Sequence, residues 1–481
     1  MQDALYLLKH LYKTWLAVLP ATTIGVLPST ITTTPGNRIS IMATRTTTIR
    51  ITQTMFVLFG VLNKSILQCR ASARHCFNKN KMQLSLFDNI SKQRIELHEL
   101  FEAYYACRRN KRNTINALAF EVDYEHNLVQ LCEEINNGTY KIGRSIAFIV
   151  NKPVKREIFA ADFRDRVVHH LVINKLNPLF EKQFIYDSYA CRERKGTHFG
   201  IKRVDKFICR CSKNYTNDCY ILKLDIKGFF MHINKDVLFK KISSLIHLKY
   251  QHSDKPLLLI LCKQILYNSP TQNCIIKSNK SNWNDLPTDK SLFHSPPNCG
   301  LPIGNFTSQV FANLYMDSFD HFVKHDLGIR YYGRYVDDFV IVHTDKDYLK
   351  TIITKLSDYL LSTLGLTIHP RKIYIQHYTK GVKFLGVVIK PNRIYIANRT
   401  KGNFYDAIEK QNTIARDHKP KQEEQKAFLS SMNSYLGIMK HYKSYKLRKE
   451  MVFNNLSGWW WNYVYLSAQI ITVFMMCTPH S

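Results

Sequence analysis

The chain has 481 residues, with 68 Lys+Arg against 37 Asp+Glu, a formal charge of +31 and 45% hydrophobic residues. That apolar content can bury real cores and excludes a wholly solvated polyelectrolyte, and the charge implies a polyanionic partner held in a salt-dependent way. Two or three domains are expected at this length, and although Cys209, Cys211 and Cys219 lie close together, they lack the paired C-x2-C spacing of a zinc site and read as reduced thiols of a cytosolic protein.

From Met1 to Lys81 the only carboxylate is Asp3, and ITTTPGNRISIMATRTTTIRITQT is a Thr/Ile/Arg-biased run without steady helical period. Residues 1–81 therefore read as an extension, disordered or translated from upstream DNA, with Met82 as the expected start of the folded protein. The stretch Met55 to Leu62 is too short to span a bilayer. Between Ser91 and about Asn136 the spacing of Ile95, Leu97, Leu100, Phe101, Tyr104 and Tyr105 predicts helix. The basic cluster Arg108, Arg109, Lys111 and Arg112 interrupts it, as a solvated run or a nucleic-acid-facing one.

FIVNKPVKREIFAADFRDRVVHHLV predicts two short strands around a basic turn, then a helix from near Asp162. YACRERKGTHFGIKRV places Arg192, Arg194 and Lys195 before Gly196, where the chain turns into a helix suited to phosphates. A strand, YILKLDI, closes on Asp225, and the Pro-, Asn- and Ser-rich segment at about 268–299 reads as a loop insertion. GLPIGNFTSQVFANLYMDSFD turns on Pro302 and Gly304 into an amphipathic helix, and RYYGRYVDDFVIV reads as two strands. LTIHPRK leads to the strand pair YIQHYTKGVKFLGVVIKP; from about Asn398 the pattern turns helical. The last stretch, WWWNYVYLSAQIITVFMMC, is interrupted by Asn462, Ser467 and Gln469 and barely reaches the roughly twenty residues of a spanning helix, so it is expected to dock on the preceding helices or a partner.

Asp337 and Asp338 sit between β-branched and aromatic runs that read as buried strands, where neighbouring carboxylates repel and lose hydration. A divalent cation relieves both costs. With Asp225, the pair suggests a two-metal site in which Mg2+ polarises an attacking 3′-hydroxyl and neutralises departing pyrophosphate. The bland alternative is a hairpin turn with a solvated Asp-Asp.

YVDD between apolar strands, preceded by LDIKGFF and GLPIGNFTSQ, resembles the reverse transcriptases, in which these blocks follow in this order; the resemblance runs from about Asn151 to Met451. It implies an α+β right-hand polymerase: N-terminal helices and fingers over 82–224, a palm of antiparallel sheet plus helices over 225–397, a helical thumb over 398–456 and an apolar tail over 457–481. By this resemblance Asp225, Asp337 and Asp338 with the Ile226 carbonyl hold two Mg2+, with Mn2+ as a substitute, and Lys372 is the general acid for pyrophosphate, with Arg371 as the weaker choice. Lys152 and Arg156 clamp the incoming triphosphate, and Ile303 and Gly304 line the dNTP site. Phe230 excludes a ribose 2′-hydroxyl, while Phe229 is expected in the core. Arg192, Arg194, Lys195, Tyr335, Lys383, Gly386, Lys440, Lys446 and Arg448 would contact nucleic acid, Lys383 and Gly386 in the primer-grip strand and the last three in a basic thumb stripe.

Most reverse transcriptases have Gln where this chain has Ile303, and Ser-Pro where it has Ser308-Gln309. These departures, with WNDLPTDKSLF and SYLGIMKHYKSYKLR, resemble the enzymes of diversity-generating retroelements, which copy a template-repeat RNA into cDNA with errors at adenine that diversify a target gene. That resemblance implies a bacterial or phage-encoded cytoplasmic protein acting on template RNA, primer and dNTPs, beside a small basic pentameric accessory protein and no membrane. A transit peptide has no role in such an element. The alternatives are another bacterial reverse transcriptase, of the group II intron maturase or antiphage defence kind, and a non-catalytic RNA-binding relative.

Overall fold

The computed structural model describes residues 94–109, 114–151, 154–468 and 472–475. The expected extension 1–81 lies outside the described residues, as do the proposed start at Met82, and Lys111, Arg112 and Lys152. Leu100, Ala103, Tyr104 and Cys107 recur at helical spacing and form the buried stripe of α1 (Leu97–Arg108). With α2 (Ile115–Glu121) and α3 (Tyr124–Asn136) this helix shares a core with residues of a later, longer helix, and Tyr104 stacks on Tyr124 with centroids 5.0 Å apart. Arg108 of the basic cluster is tied to Glu121 at 2.6 Å. The expected hairpin follows as β1 (Ile146–Val150) and β2 (Arg156–Ala160), antiparallel with Val150 opposite Arg156. Helix α4 (Phe163–Gln183) begins where expected, because the Asp162 carboxylate accepts from the Arg164 N–H at 3.0 Å.

Helix α5 (Thr197–Cys211) leads into β3 (Tyr220–Asp225), the short α6 (Phe229–His232), α7 (Lys235–Lys249) and α8 (Lys255–Tyr267). The segment expected as a loop at 268–299 contains only β4 (Ile275–Ile276), parallel to β1, and three single 3-10 turns. It is nevertheless anchored. The carboxylate of Glu157, on β2 and 1% exposed, accepts from Trp283 Nε1 at 2.7 Å, from Ser291 Oγ at 2.9 Å and from the Leu292 N–H. A buried carboxylate needs several donors, and the insertion supplies them.

Helix α9 (Phe306–His321) packs on α4, and β5 (Tyr332–Tyr335), β6 (Asp338–His343), α10 (Lys346–Leu364) and β7 (Tyr374–His377) complete the central layer. The four-stranded sheet runs β5-β6-β3-β7, antiparallel throughout. Leu222, Leu224, Phe339 and Ile341 join the core with α4, α9 and α10, and Ile221, Val340 and Val342 join a second core on the opposite face. Both faces are covered, which is why these strands read as unbroken apolar runs. Inside these four strands the charged side chains are Lys223 and the buried Arg334, while the acids stand at strand ends.

Strands β8 (Val382–Phe384), β9 (Val387–Lys390) and β10 (Arg393–Ile396) form a small meander. Helices α11 (Asn398–Asp417), α12 (Gln422–Met439), α13 (Tyr445–Phe453) and α14 (Gly458–Trp461) follow, and the hairpin β11 (Val464–Leu466) and β12 (Val473–Met475) returns onto α12. Trp460 is buried flat against Phe428 at 3.8 Å, and Asn433 of α12 pairs with both backbone groups of Val473 at 2.7 and 3.0 Å. The described part of the apolar tail thus docks on the preceding helices. Among the described residues no helix is long and apolar enough to cross a membrane.

Candidate active site

Tyr335 pairs with Asp338 across β5 and β6, so Val336 and Asp337 are the two residues of a tight hairpin turn. Asp338 is also directly opposite Asp225 in the β3–β6 register, and the Ile226 N–H donates to the Asp337 carbonyl at 3.2 Å. Opposed residues of antiparallel strands have Cα atoms roughly 5 Å apart. Asp225, remote in sequence, is therefore a direct neighbour of the pair.

Lys372 Nζ lies 3.0 Å from Asp225 Oδ1, and Lys223 Nζ lies 3.1 Å from Asp338 Oδ2. Asp338 Oδ1 is buried without a hydrogen-bond partner. Burial, and next the charge of Asp225, push the Asp337 carboxyl up from 3.8 to about 6, with Lys372 and Arg156 pulling it partly back. Burial raises Asp338 to about 7 despite the pull of Lys223. Lys223 went unnoticed in the sequence, although it stands two residues before Asp225, and strand alternation puts both side chains on one face.

Among the described residues no three His, Cys, Asp or Glu side chains are drawn together into a ready-made metal cage. The two lysines each hold one carboxylate instead. An unpartnered buried carboxylate oxygen, and two acids lifted toward neutrality by burial and mutual repulsion, are what a hard divalent cation corrects, so the donor set fits Mg2+ or Mn2+.

Around this centre, Arg156 is exposed at the start of β2, and its charge acts on Asp337. Lys152 lies outside the described residues. Phe230 is half-buried against Phe229, which is in the core as expected. The Ile303 carbonyl accepts from the Phe159 N–H at 2.8 Å, and Asn305 Oδ1 from the Ala161 N–H at 3.0 Å, so the GLPIGN turn is stitched to β2. A Cβ on Gly304, at φ +127°, would come within 2.9 Å of the Phe159 carbonyl oxygen, so this close approach needs glycine.

The expected nucleic-acid residues divide in two. Arg194 is 93% exposed, and Lys383, Lys440 and Lys446 are exposed, while Tyr335 is half-buried. Gly386 turns the β8–β9 hairpin at φ +86°. Arg192 is instead tied to Glu181 at 2.8 Å and to the Ile185 and Ser188 carbonyls. Lys195 donates to the Tyr186 carbonyl over the Tyr186 ring, and burial lowers its ammonium to about 8. Arg448 is 5% exposed and donates to Ser444 Oγ at 2.9 Å. Helical spacing put Arg448 on the inner face of α13, which a count of basic residues could not reveal.

An antiparallel sheet with an acidic two-residue turn against a third aspartate, flanked by a basic hairpin and a helical bundle, defines a right-hand polymerase fold with fingers, palm and thumb. Residues 151–389 match the family described as reverse transcriptase (RNA-dependent DNA polymerase), and a reverse transcriptase domain occupies that span. Protein YkfC of Escherichia coli (strain K12) is 22% identical over 254 residues, covering 46% of this chain and 60% of that protein. The apo telomerase of Candida tropicalis truncated from the C-terminal domain aligns with a TM-score of 0.39 at 14% identity, over 53% of this chain and 55% of that one. The Candida albicans telomerase in complex with a TWJ fragment of telomeric RNA aligns at 0.40 and 11% identity, over 71% and 67%. The chain thus spans 60% of its curated relative and 55% of the truncated telomerase.

Proposed function

We propose that this chain is an RNA-directed DNA polymerase, a nucleotidyltransferase that adds deoxynucleotides to a primer paired with an RNA template. The observation that carries the reading is the strand register that sets Asp225 opposite Asp338 and beside the Asp337 turn, with two of these carboxyls raised by burial. Divalent cations held there by the three carboxylates and the Ile226 carbonyl would supply the charge that activates the primer hydroxyl and stabilises the leaving group. Lys372 carries the proton for the departing pyrophosphate. Arg156 and Lys152 bind triphosphate oxygens, the first as a fork and the second as a point charge. Phe230 closes the space that a ribose 2′-hydroxyl would need. Arg194, Lys383, Lys440 and Lys446 bind nucleic-acid backbone, with Tyr335 and Gly386 at the primer end.

Within this class the reading extends to the enzyme of a diversity-generating retroelement: cytoplasmic, bacterial or phage-encoded, copying a template-repeat RNA with errors at adenine beside a small basic pentameric accessory protein. Ile303 supports it, because an apolar wall stitched to β2 offers no side-chain hydrogen bond to police the nascent pair. Primer extension on an RNA template tests both levels. Wild type should extend with misinsertion opposite adenine, and Asp337→Ala should abolish extension while RNA binding persists. No extension by wild type overturns the first level, and faithful insertion opposite adenine overturns the second.

A further inference from the structure

The acidic turn is built on an unfavourable backbone. Val336, immediately before Asp337, has φ +58°, a left-handed conformation that β-branched residues avoid. Its β-branched side chain is ill suited to that state, although it is half-buried against the main core. Its carbonyl, however, accepts from Arg334 Nη1 at 2.9 Å. Arg334 is 0% exposed, and the rest of its guanidinium is fixed as well: Nε and Nη2 grip the two oxygens of Asp320 on α9 at 2.7 and 2.6 Å, Nη1 also reaches Asn313 Oδ1 at 3.3 Å, and Nη2 reaches Ser188 Oγ at 3.4 Å. The Arg334 backbone is pinned too, donating to the Asp187 carbonyl at 2.9 Å and accepting from the Tyr189 N–H at 3.0 Å.

We propose that Arg334 is a positioning residue of the polymerase centre, which braces the Val336 carbonyl from beneath and so holds the Val336–Asp337 turn in the left-handed form that presents Asp337 beside Asp225. A buried arginine–aspartate pair alone would only join α9 to β5. The additional bond to the carbonyl of the strained residue, one position from the carboxylate, gives the pair a job at the site. Lysine cannot do the same, since one ammonium cannot grip both Asp320 oxygens in the fork geometry and still reach Val336. The proposal rests on the polymerase reading above.

The test compares wild type, Arg334→Lys, Val336→Gly and the double variant, measuring thermal midpoint, template–primer affinity, half-saturating Mg2+, kcat and KM for dNTP. Arg334→Lys should lower kcat by about 10–100-fold, the order expected for a reacting group displaced by about an ångström, raise half-saturating Mg2+ and leave template–primer affinity unchanged. Glycine enters the left-handed region freely, so Val336→Gly in the Arg334→Lys background should recover much of kcat without raising the thermal midpoint. Unchanged kcat in Arg334→Lys, or a loss that follows the thermal midpoint and is not recovered by Val336→Gly, overturns the proposal. Inactive wild type strikes the polymerase reading instead. Should Arg334→Lys fail to fold, Val336→Asn and Val336→Thr decide: both give up the packing of Val336 on the core, and Asn, which tolerates the left-handed region, should keep a higher urea midpoint than Thr. An Asn midpoint no higher than that of Thr overturns the claim of a braced, strained turn.

Discussion

Replacing Asp337 by Asn removes the charge that burial and Asp225 oppose, and the metal-free protein should become more stable as it loses activity. A carboxyl carried from 3.8 to about 6 burdens the folded state by roughly 3 kcal/mol well above pH 6, at about 1.4 kcal/mol for each tenfold in affinity for the proton. The sign follows from the direction of the shift. With the folded value above the unfolded one, the native state holds its proton longer, so wild-type stability falls as pH rises from about 4 through 6 and then levels off. The gain from Asp337→Asn should therefore be largest at pH 8 and fall to roughly half by pH 5. Urea melts in EDTA at both pH values measure it. Added Mg2+ should stabilise wild type and do much less for the variant, closing the gap from the other side. An Asn variant no more stable than wild type at pH 8, or a gap that widens toward acid, would refute the claim that Asp337 is held as an anion that Lys372 and Arg156 compensate only in part.

Phe230→Ala should admit ribonucleotides, read as a raised ratio of ribo- to deoxynucleotide kcat/KM with dNTP incorporation retained; an unchanged ratio would assign Phe230 to packing alone. Glu157→Ala leaves Trp283 Nε1, Ser291 Oγ and the Leu292 N–H without their acceptor, at a cost of about 2–4 kcal/mol, and should open residues 277–295 to limited proteolysis. Protection equal to wild type would show that other contacts hold the insertion. Arg448→Ala should lower the thermal midpoint with little effect on the salt dependence of RNA binding, whereas Lys446→Ala should reduce the slope of log K against log salt by about one and leave the melt unchanged. Exchanged effects would contradict the placement of these two cations.

The main features of the palm were readable because its central strands are largely apolar with acids only at their ends, so YILKLD and YVDDFVIV announced both the strands and the positions of Asp225, Asp337 and Asp338. The α4 start was readable from Asp162, and the Phe229/Phe230 division from their places after Asp225. What stayed hidden depends on contacts between distant segments. Glu157 looks like one more charge in a basic hairpin until Trp283, more than a hundred residues later, donates to it. Arg192 and Arg448 count equally with Arg194 and Lys446 in any tally of charge, and only folding shows which guanidiniums are tied down. Arg334 reads as an ordinary strand residue, because its partner Asp320 is on another element and the conformation it braces is a single φ angle. Lys223 was within reach, since period-two alternation alone aligns it with Asp225.

The most direct measurement is an anomalous diffraction map of the protein with Mn2+, an RNA-templated primer and an unreactive dNTP analogue. Manganese should appear in direct contact with carboxylate oxygens of Asp225 and of Asp337 or Asp338, with the Lys223 and Lys372 ion pairs loosened. Manganese bound elsewhere, or Asp225 still held by Lys372 with no metal beside it while the primer terminus is in place, would contradict a joint metal site.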